Sequence, residues 1–215
     1  MDQDSASTAH HERRISSGNE GLDNILGGGF DADRMYLYEG RPGTGKTTLA
    51  LEFLLEGVRK GEKTLYISLS ETQRELELVA SRHGWDVSEV DIFELIPPET
   101  TLDRTQELTV LHPAEVDLAE TTKLILDRVE EHSPQRVVID SLSELRLLAQ
   151  SSLRYRRQVL ALKHFFASRA CTVILLDDMT SHENDLQLHS ICHGVGLLGQ
   201  LAIEYGGERR GLPAG

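Results

Sequence analysis

The stretch GRPGTGKTT, residues 40–48, has the residue types and spacing needed to hold a chain of phosphates. It matches the pattern G-x-x-x-x-G-K-[ST], whose glycines let successive backbone N–H groups turn inward toward phosphate oxygens. Lys46 would neutralise the outer phosphates, and the hydroxyl of Thr47 would be a ligand of Mg²⁺. The helix that begins near Lys46 would direct its positive dipole end at the same anion. The predicted nucleotide-contacting residues are Gly43, Thr44, Gly45, Lys46, Thr47 and Thr48.

Two acidic residues at the ends of β-rich runs are candidates for the remaining chemistry. Asp140 ends the run RVVID, and its carboxylate would bind the metal together with Thr47, facing the loop from the next strand of the sheet. The alternative is an aspartate that begins a turn or caps the following helix. Glu71 follows KTLYISL and would act as the base that orients an attacking water. Its alternative is an acid in the first turn of a helix capped by Ser70.

The alternation of β-rich and helical patterns predicts the fold class and the elements that position these residues. Nearly continuous apolar runs indicate strands that are covered on both faces. The predicted strands are 34–40, 63–69, 91–96, 136–141, 172–178 and 195–205, and the predicted helices lie around 51–58, 76–83, 117–129 and 153–170. This order is typical of a doubly wound α/β domain with a mostly parallel sheet. The longest irregular connection is 97–114, and long connections are often functional.

Composition restricts the classes of partner. The chain has 215 residues, 39% of them hydrophobic and 27% charged, which is typical of a globular domain. Its 35 acidic residues exceed its 22 basic ones, which disfavours nucleic acid as a partner, because affinity for phosphate backbones comes largely from Lys and Arg. Apolar runs of about five residues are too short to span a bilayer. The polar start and two cysteines that we interpret as free thiols favour a cytoplasmic protein.

Several motifs together resemble the KaiC-type domains of the RecA-like P-loop ATPases, over most of the chain from Ile15 to about Arg210. The matching stretches are SGNEGLDNILGGGF (17–30), GRPGTGKT, LSET (69–72), GWD (84–86), RVVIDSLSEL (136–145), LRYRRQVLALKHFF and LHSICHGVGLL. We therefore expect a disordered tail at residues 1–14 and one ATPase domain at residues 15–215. The fold implied is a three-layer α/β RecA-like domain. Whether the family's final strands are all present is left open by the sequence.

The resemblance also implies an activity and partners. KaiC-like proteins bind ATP with Mg²⁺, hydrolyse it slowly and form rings, usually hexamers, with nucleotide sites between subunits. By this resemblance Lys46, Asp140 and Glu71 are the catalytic residues, and a homo-oligomeric switch in signalling or clock-type regulation, with possible protein signalling partners, is the expected function. The alternatives are a nucleotide-dependent assembly module with negligible hydrolysis and a DNA-coating recombinase, which the acidic charge disfavours.

This sequence departs from the family pattern at three places. The family carries two adjacent acids where this chain has Ser70 followed by Glu71. A Lys-x-Arg element that reaches the neighbouring subunit's phosphate has no clear counterpart after YGGERR. The autophosphorylated Ser-Thr pair of the family's second domain corresponds to His189-Ser190 here, which makes Ser190 a weak candidate for phosphorylation.

Two clusters were weighed as sites of other kinds. The segment HENDLQLHSICH brings together three histidines and Cys192, but their spacing fits no standard zinc site, and a loop is the favoured interpretation. The arginines of LRYRR (153–157) form the most concentrated basic stretch. They are interpreted as a solvated or intersubunit face, with a contact to a neighbour's nucleotide as the alternative.

Overall fold

A parallel sheet is the centre of the protein, which is described by a computed structural model over residues 13–95, 118–178 and 188–200. Two short strands precede it, β1 (Arg14–Ile15) and β2 (Phe30–Asp31), and they form an antiparallel pair. The six strands of the sheet are β3 (Met35–Gly40), β4 (Thr64–Ser68), β5 (Asp91–Glu94), β6 (Arg136–Asp140), β7 (Thr172–Asp177) and β8 (Gly194–Leu198). Each predicted strand is thus confirmed within the described residues. The pair β1–β2 was not predicted.

The lateral order of the sheet is β5-β4-β6-β7-β3-β8, and every pairing in it is parallel. Because all strands point the same way, their carboxyl ends meet at one edge, where open α/β sheets bind ligands. The prediction that Asp140 lies on the strand next to the phosphate-binding loop is wrong, because β7 lies between β6 and β3. Apolar periodicity identifies strands but not their order, and here the order places one further strand end between the two motifs.

The described residues form six helices, five of which pack on the two faces of this sheet. They are α1 (Glu20–Ile25), α2 (Lys46–Arg59), α3 (Gln73–Arg82), α4 (Leu118–His132), α5 (Leu142–Ala149) and α6 (Ser152–Ala167). One apolar core packs α2 and α3 against one face, through Leu54 and Leu76 among others. A second core packs α4, α5 and α6 against the other face, through Ile125 and Leu162 among others. The three-layer α/β architecture is therefore confirmed.

The four predicted helices are confirmed, with two boundaries now defined by glycines. Gly61 and Gly84 follow α2 and α3 with positive φ angles of 71°. Helices α1 and α5 were not predicted, because both are short and α5 begins directly after the motif that ends at Asp140. The irregular connection 97–114 and nearly all of the predicted tail lie outside the described residues, so the domain boundaries stay predictions. Within the described parts of the chain, no helix has the length and apolarity needed to cross a bilayer.

Candidate active site

The loop between β3 and α2 has a backbone suited to anion binding. Gly43 and Gly45 have φ angles of 81° and 93°, a conformation that is unfavourable for residues with a Cβ. Thr44 closes the turn, since its backbone N–H and its hydroxyl both donate to the carbonyl of Arg41, at 3.2 and 2.8 Å. Gly45 is the N-cap of α2 and supplies no side-chain cap. The first backbone N–H groups of α2 are therefore available to an anionic ligand.

Lys46 is held inside this loop. Its side chain is 7% exposed, and Nζ donates to the carbonyl oxygens of Gly40 at 2.7 Å and Arg41 at 3.3 Å. Nζ also forms an ion pair with Oδ1 of Asp178 at 3.0 Å. Asp178 immediately follows β7, the strand that separates Asp140 from the loop. The interposed strand therefore contributes a carboxylate directly to the candidate site.

Asp140 is buried at the carboxyl end of β6, with 5% of its surface exposed. Its Oδ2 accepts a hydrogen bond from the hydroxyl of Tyr66 at 2.5 Å. Burial raises the pKa of Asp140, and the nearby Asp178 carboxylate adds to the rise, whereas Tyr66 and Lys46 oppose it. A buried carboxylate with a raised pKa is a favourable ligand for a cation, because the cation compensates the desolvated charge.

Glu71 lies in a turn between β4 and α3. The hydroxyl of Ser68 accepts a hydrogen bond from the backbone N–H of Glu71 at 3.0 Å and donates to the Glu71 carbonyl. The helix begins only after Thr72, whose side chain forms a capping box with Glu75. The alternative in which Ser70 caps the helix and Glu71 lies in its first turn is therefore wrong. These two hydrogen bonds with Ser68 hold the turn that precedes the helix. Glu71 therefore lies outside the helix and faces the cavity.

The carboxyl group of Glu71 is strongly perturbed. Burial raises its pKa to about 7, with further increases from the carboxylates of Asp140, Glu75 and Asp178 and an opposing effect of Lys46. Its Oε2 is buried and has no hydrogen-bond partner among the described residues. A carboxylate with a pKa near neutral pH and an uncommitted oxygen is suited to accept a proton.

We predict that this burial makes stability depend on pH in the nucleotide-free protein. The pKa of Glu71 is raised from 4.5 to about 7 on folding, so its protonated form is favoured in the native state. Its stabilising contribution is complete below pH 4.5 and is lost as the pH rises through about 7. Between about pH 5 and pH 8 in EDTA, the melting temperature of the wild type should therefore fall by a few degrees relative to that of Glu71→Gln. A difference between the two proteins that stays constant over this range would contradict the prediction.

A second polar network lies beside the site on α5. Asp177, 1% exposed, forms an ion pair with Arg146 and accepts a hydrogen bond from the Ser143 hydroxyl at 3.0 Å. The guanidinium of Arg146 lies 5.0 Å from the ring centre of Tyr155 on α6. These contacts attach α5 to the end of β7. Because Asp178 is adjacent to Asp177, the same strand end also contacts Lys46.

The candidate residues line one cavity of about 510 Å³ at the carboxyl edge of the sheet. Its walls include Gly43, Gly45, Lys46, Thr47, Thr48, Ser70, Glu71, Asp140 and Asp178, and it continues along α3 past Val79, Arg82 and His83. This volume suits a nucleotide-sized ligand. The backbone donors and Lys46 would hold phosphates, and the oxygens of Thr47 and Asp140 are of the type that Mg²⁺ prefers. The residues therefore fit a nucleoside triphosphate with Mg²⁺. Thr44 lies next to this cavity and lines a separate cavity of about 560 Å³ beside β8.

In the segment HENDLQLHSICH, the histidines that lie within the described residues have other partners than a metal ion. His189 Nε2 lies 2.8 Å from Oε2 of Glu39, and His193 Nδ1 accepts a hydrogen bond from the backbone N–H of Met35 at 3.1 Å. No group of three or more potential metal-binding side chains occurs in the part of the chain that the structure describes. His182 lies outside that part. These contacts connect the start of β8 to the strand that carries the phosphate-binding loop.

The fold and the loop define the class of this protein. A parallel sheet covered by helices on both faces, with the phosphate-binding loop between a central strand and the following helix, is that of a RecA-like P-loop ATPase. The family model described as KaiC ATPase matches residues 15–209. The chain belongs to the KaiC ATPase family.

Individual relatives agree with this assignment. The chain is 29% identical over 189 residues to a UPF0273 protein of Pyrococcus horikoshii, an alignment that covers 85% of this chain and 75% of that protein. It is 30% identical over 207 residues to the circadian clock protein KaiC3 of Synechocystis, covering 93% of this chain and 38% of the relative. It is 37% identical over 132 residues to the circadian clock oscillator protein KaiC of Picosynechococcus, covering 61% of this chain and 24% of the relative. The chain thus spans only a minor part of these two clock proteins.

Proposed function

We propose that this protein is a slow, Mg²⁺-dependent ATPase that forms homo-oligomers and acts as a nucleotide-dependent switch in signalling or clock-type regulation. The observation that carries the proposal is that Lys46, Asp140 and Glu71 share one cavity with the phosphate-binding loop. Within it, Glu71 has the pKa of about 7 expected of a general base. The family membership and the relatives' names support ATP as the nucleotide and regulation as the setting.

Each residue then has a distinct role. The backbone N–H groups of Gly43 to Thr48 and the ammonium of Lys46 bind the phosphates, and Lys46 balances the charge that develops on them. Thr47 and Asp140 would hold Mg²⁺, which when bound neutralises phosphate charge. Glu71 orients the attacking water and takes its proton on its carboxylate. The apolar core beneath the site fixes these groups, so little reorganisation is needed when the phosphates bind.

Two features support slow turnover. Lys46 is paired with Asp178, so the phosphates must compete with a carboxylate for the same ammonium group. Ser70 occupies the position of the first of two adjacent acids in the family pattern and lines the cavity without a charge of its own. Both features reduce the electrostatic contribution that preorganised charges make to phosphoryl transfer.

Exposed apolar side chains support the assembly. Leu147 and Leu153, at the turn from α5 to α6, are 72% and 58% exposed, and Leu197 on β8 is 66% exposed. Apolar groups of this size at the surface often belong to interfaces between proteins. The resemblance to KaiC-type domains implies a ring, usually of six subunits, and we propose a homo-oligomer on that basis. If nucleotide binds only the assembled form, it stabilises the assembly by mass action.

The proposed function is tested by measuring phosphate release and light-scattering mass in parallel, with Mg-ATP and with ATP in EDTA. The wild type should assemble and release phosphate slowly only when Mg²⁺ is present. Glu71→Gln should bind ATP and assemble, but phosphate release should fall by at least about 100-fold, because the general base is lost. Glu77→Gln, an exposed glutamate on α3, is the matched control and should behave as the wild type. Equal turnover by Glu71→Gln and the wild type would exclude Glu71 as the base.

A second candidate function is a nucleotide-dependent assembly module without meaningful hydrolysis. The ion pair between Lys46 and Asp178 favours it, since this pair weakens the group that should stabilise the transition state. In this case the wild type and Glu71→Gln would both assemble on ATP, and neither would release phosphate above background. The same experiment therefore separates the two candidates.

A further inference from the structure

Tyr66 is a buried tyrosine whose hydroxyl contacts one of the proposed metal ligands, Asp140. It lies on β4 and is 0% exposed. In the sheet register Tyr66 pairs with Val138 on β6, two residues before Asp140. Side chains two residues apart on a strand share a face, so the Tyr66 ring runs along the same face toward the Asp140 carboxylate. The length of the phenol spans the remaining distance, and its hydroxyl ends 2.5 Å from Asp140 Oδ2.

The phenol is the donor in this bond. Burial and the Asp140 carboxylate both raise the pKa of Tyr66, so the phenol stays protonated and can donate. A phenol has one proton to donate, and Asp140 accepts it.

This bond fixes the orientation of the Asp140 carboxylate. Asp140 has Oδ2 committed to Tyr66, which leaves Oδ1 for a cation. Groups that hold metal ligands in this way typically change metal affinity by about 10–100-fold when they are removed.

We propose that Tyr66 is a positioning residue that sets the Mg²⁺ affinity of the nucleotide site by orienting Asp140 through its hydroxyl. The inference rests on the proposed function, because it requires Asp140 to be a metal ligand. Tyr66 itself contacts neither substrate nor metal. Its effect is therefore on metal binding, and the binding of metal-free nucleotide should be independent of it.

The test is the affinity for Mn²⁺, a paramagnetic substitute for Mg²⁺, in the presence of a non-hydrolysable ATP analogue. We compare wild type, Tyr66→Phe and Tyr36→Phe by electron paramagnetic resonance. Tyr36→Phe is the matched control, because Tyr36 is a buried tyrosine of the same sheet whose hydroxyl donates instead to the carbonyl of Asp31 at 3.1 Å. The expected result is a loss of Mn²⁺ affinity of about 10–100-fold for Tyr66→Phe and less than about 2-fold for Tyr36→Phe. The affinity of all three proteins for the analogue in EDTA should agree within about 2-fold.

The outcomes separate this inference from the function on which it rests. Equal Mn²⁺ affinity of Tyr66→Phe and wild type would overturn the role of Tyr66 and leave the metal site intact. A wild type that binds the analogue but no Mn²⁺ would overturn the proposed metal site itself, and the inference with it. Should Tyr66→Phe not fold, wild-type protein labelled at the tyrosine Cζ carbons answers the question by NMR. Addition of Mg²⁺ to the analogue complex should shift one of the five tyrosine signals, and no shift would overturn the inference.

Discussion

Replacing Lys46 with alanine is expected to abolish ATP turnover and to weaken ATP binding by at least about 100-fold. The Lys46 ammonium is buried in the phosphate-binding loop, so its hydrogen bonds to phosphate form away from competing water. Hydrogen bonds to a charged group contribute about 1.5–3 kcal/mol each, and two of them account for the expected loss of affinity. Isothermal titration with ATP measures the binding, and phosphate release measures the turnover.

The control for this prediction is Lys60→Ala, at the other end of the same helix. Lys60 is the C-cap residue of α2, is 46% exposed and pairs with Glu56 at the surface, so its removal should leave both measurements unchanged. Lys46→Ala should also remain folded, because its partner Asp178 is 31% exposed and can be hydrated when the ammonium is lost. An ATP affinity within about 3-fold of the wild type would contradict the role of Lys46 in phosphate binding.

The sequence predicted the parts of the site that depend on local pattern. The glycines and Lys46 of the loop follow from the backbone geometry that phosphate binding needs, and Gly43 and Gly45 do have positive φ angles. Asp140 and Glu71 were identified as the acids that follow two strands, and both line the cavity with Lys46. Parallel strands bring their carboxyl ends to one edge, so residues at strand ends can be grouped without knowledge of the strand order.

The sequence could not show contacts that depend on the order of the strands. Asp178 reaches Lys46 because β7 lies between β6 and β3, which apolar periodicity does not specify. Tyr66 is one aromatic residue in an apolar run, and nothing in its spacing indicates that its hydroxyl bonds to Asp140. Arg136 begins the strand RVVID and would be expected at the surface, as arginines usually are, yet it is 0% exposed.

Arg136 is held by groups from three parts of the chain. Its Nε donates to Oε2 of Glu62 at 2.5 Å, and one terminal nitrogen donates to the carbonyl oxygens of Ser16 and Phe53 at 2.8 and 2.9 Å. The guanidinium also lies 4.7 Å from the ring centre of Phe53. The side chain passes close to Gly57, where a Cβ would lie 2.7 Å from Arg136 Cδ. The arginine thereby connects β6, α2 and the segment before α1.

We expect Arg136→Met to destabilise the protein by about 3–5 kcal/mol, the cost of breaking a buried ion pair by removing one partner. Methionine keeps the apolar volume, but it leaves two buried carbonyl oxygens and the Glu62 carboxylate without their donor. Arg59→Met is the control, because Arg59 is 59% exposed and its pair with Glu56 should contribute less than about 1 kcal/mol. Urea unfolding measures both variants.

A loss below about 1 kcal/mol for Arg136→Met would show that the buried pair is not what fixes the segment before α1 onto the sheet. The site at the opposite edge of the sheet should bind ATP normally wherever the variant is still folded, since Arg136 lies at the amino end of β6 and Asp140 at its carboxyl end.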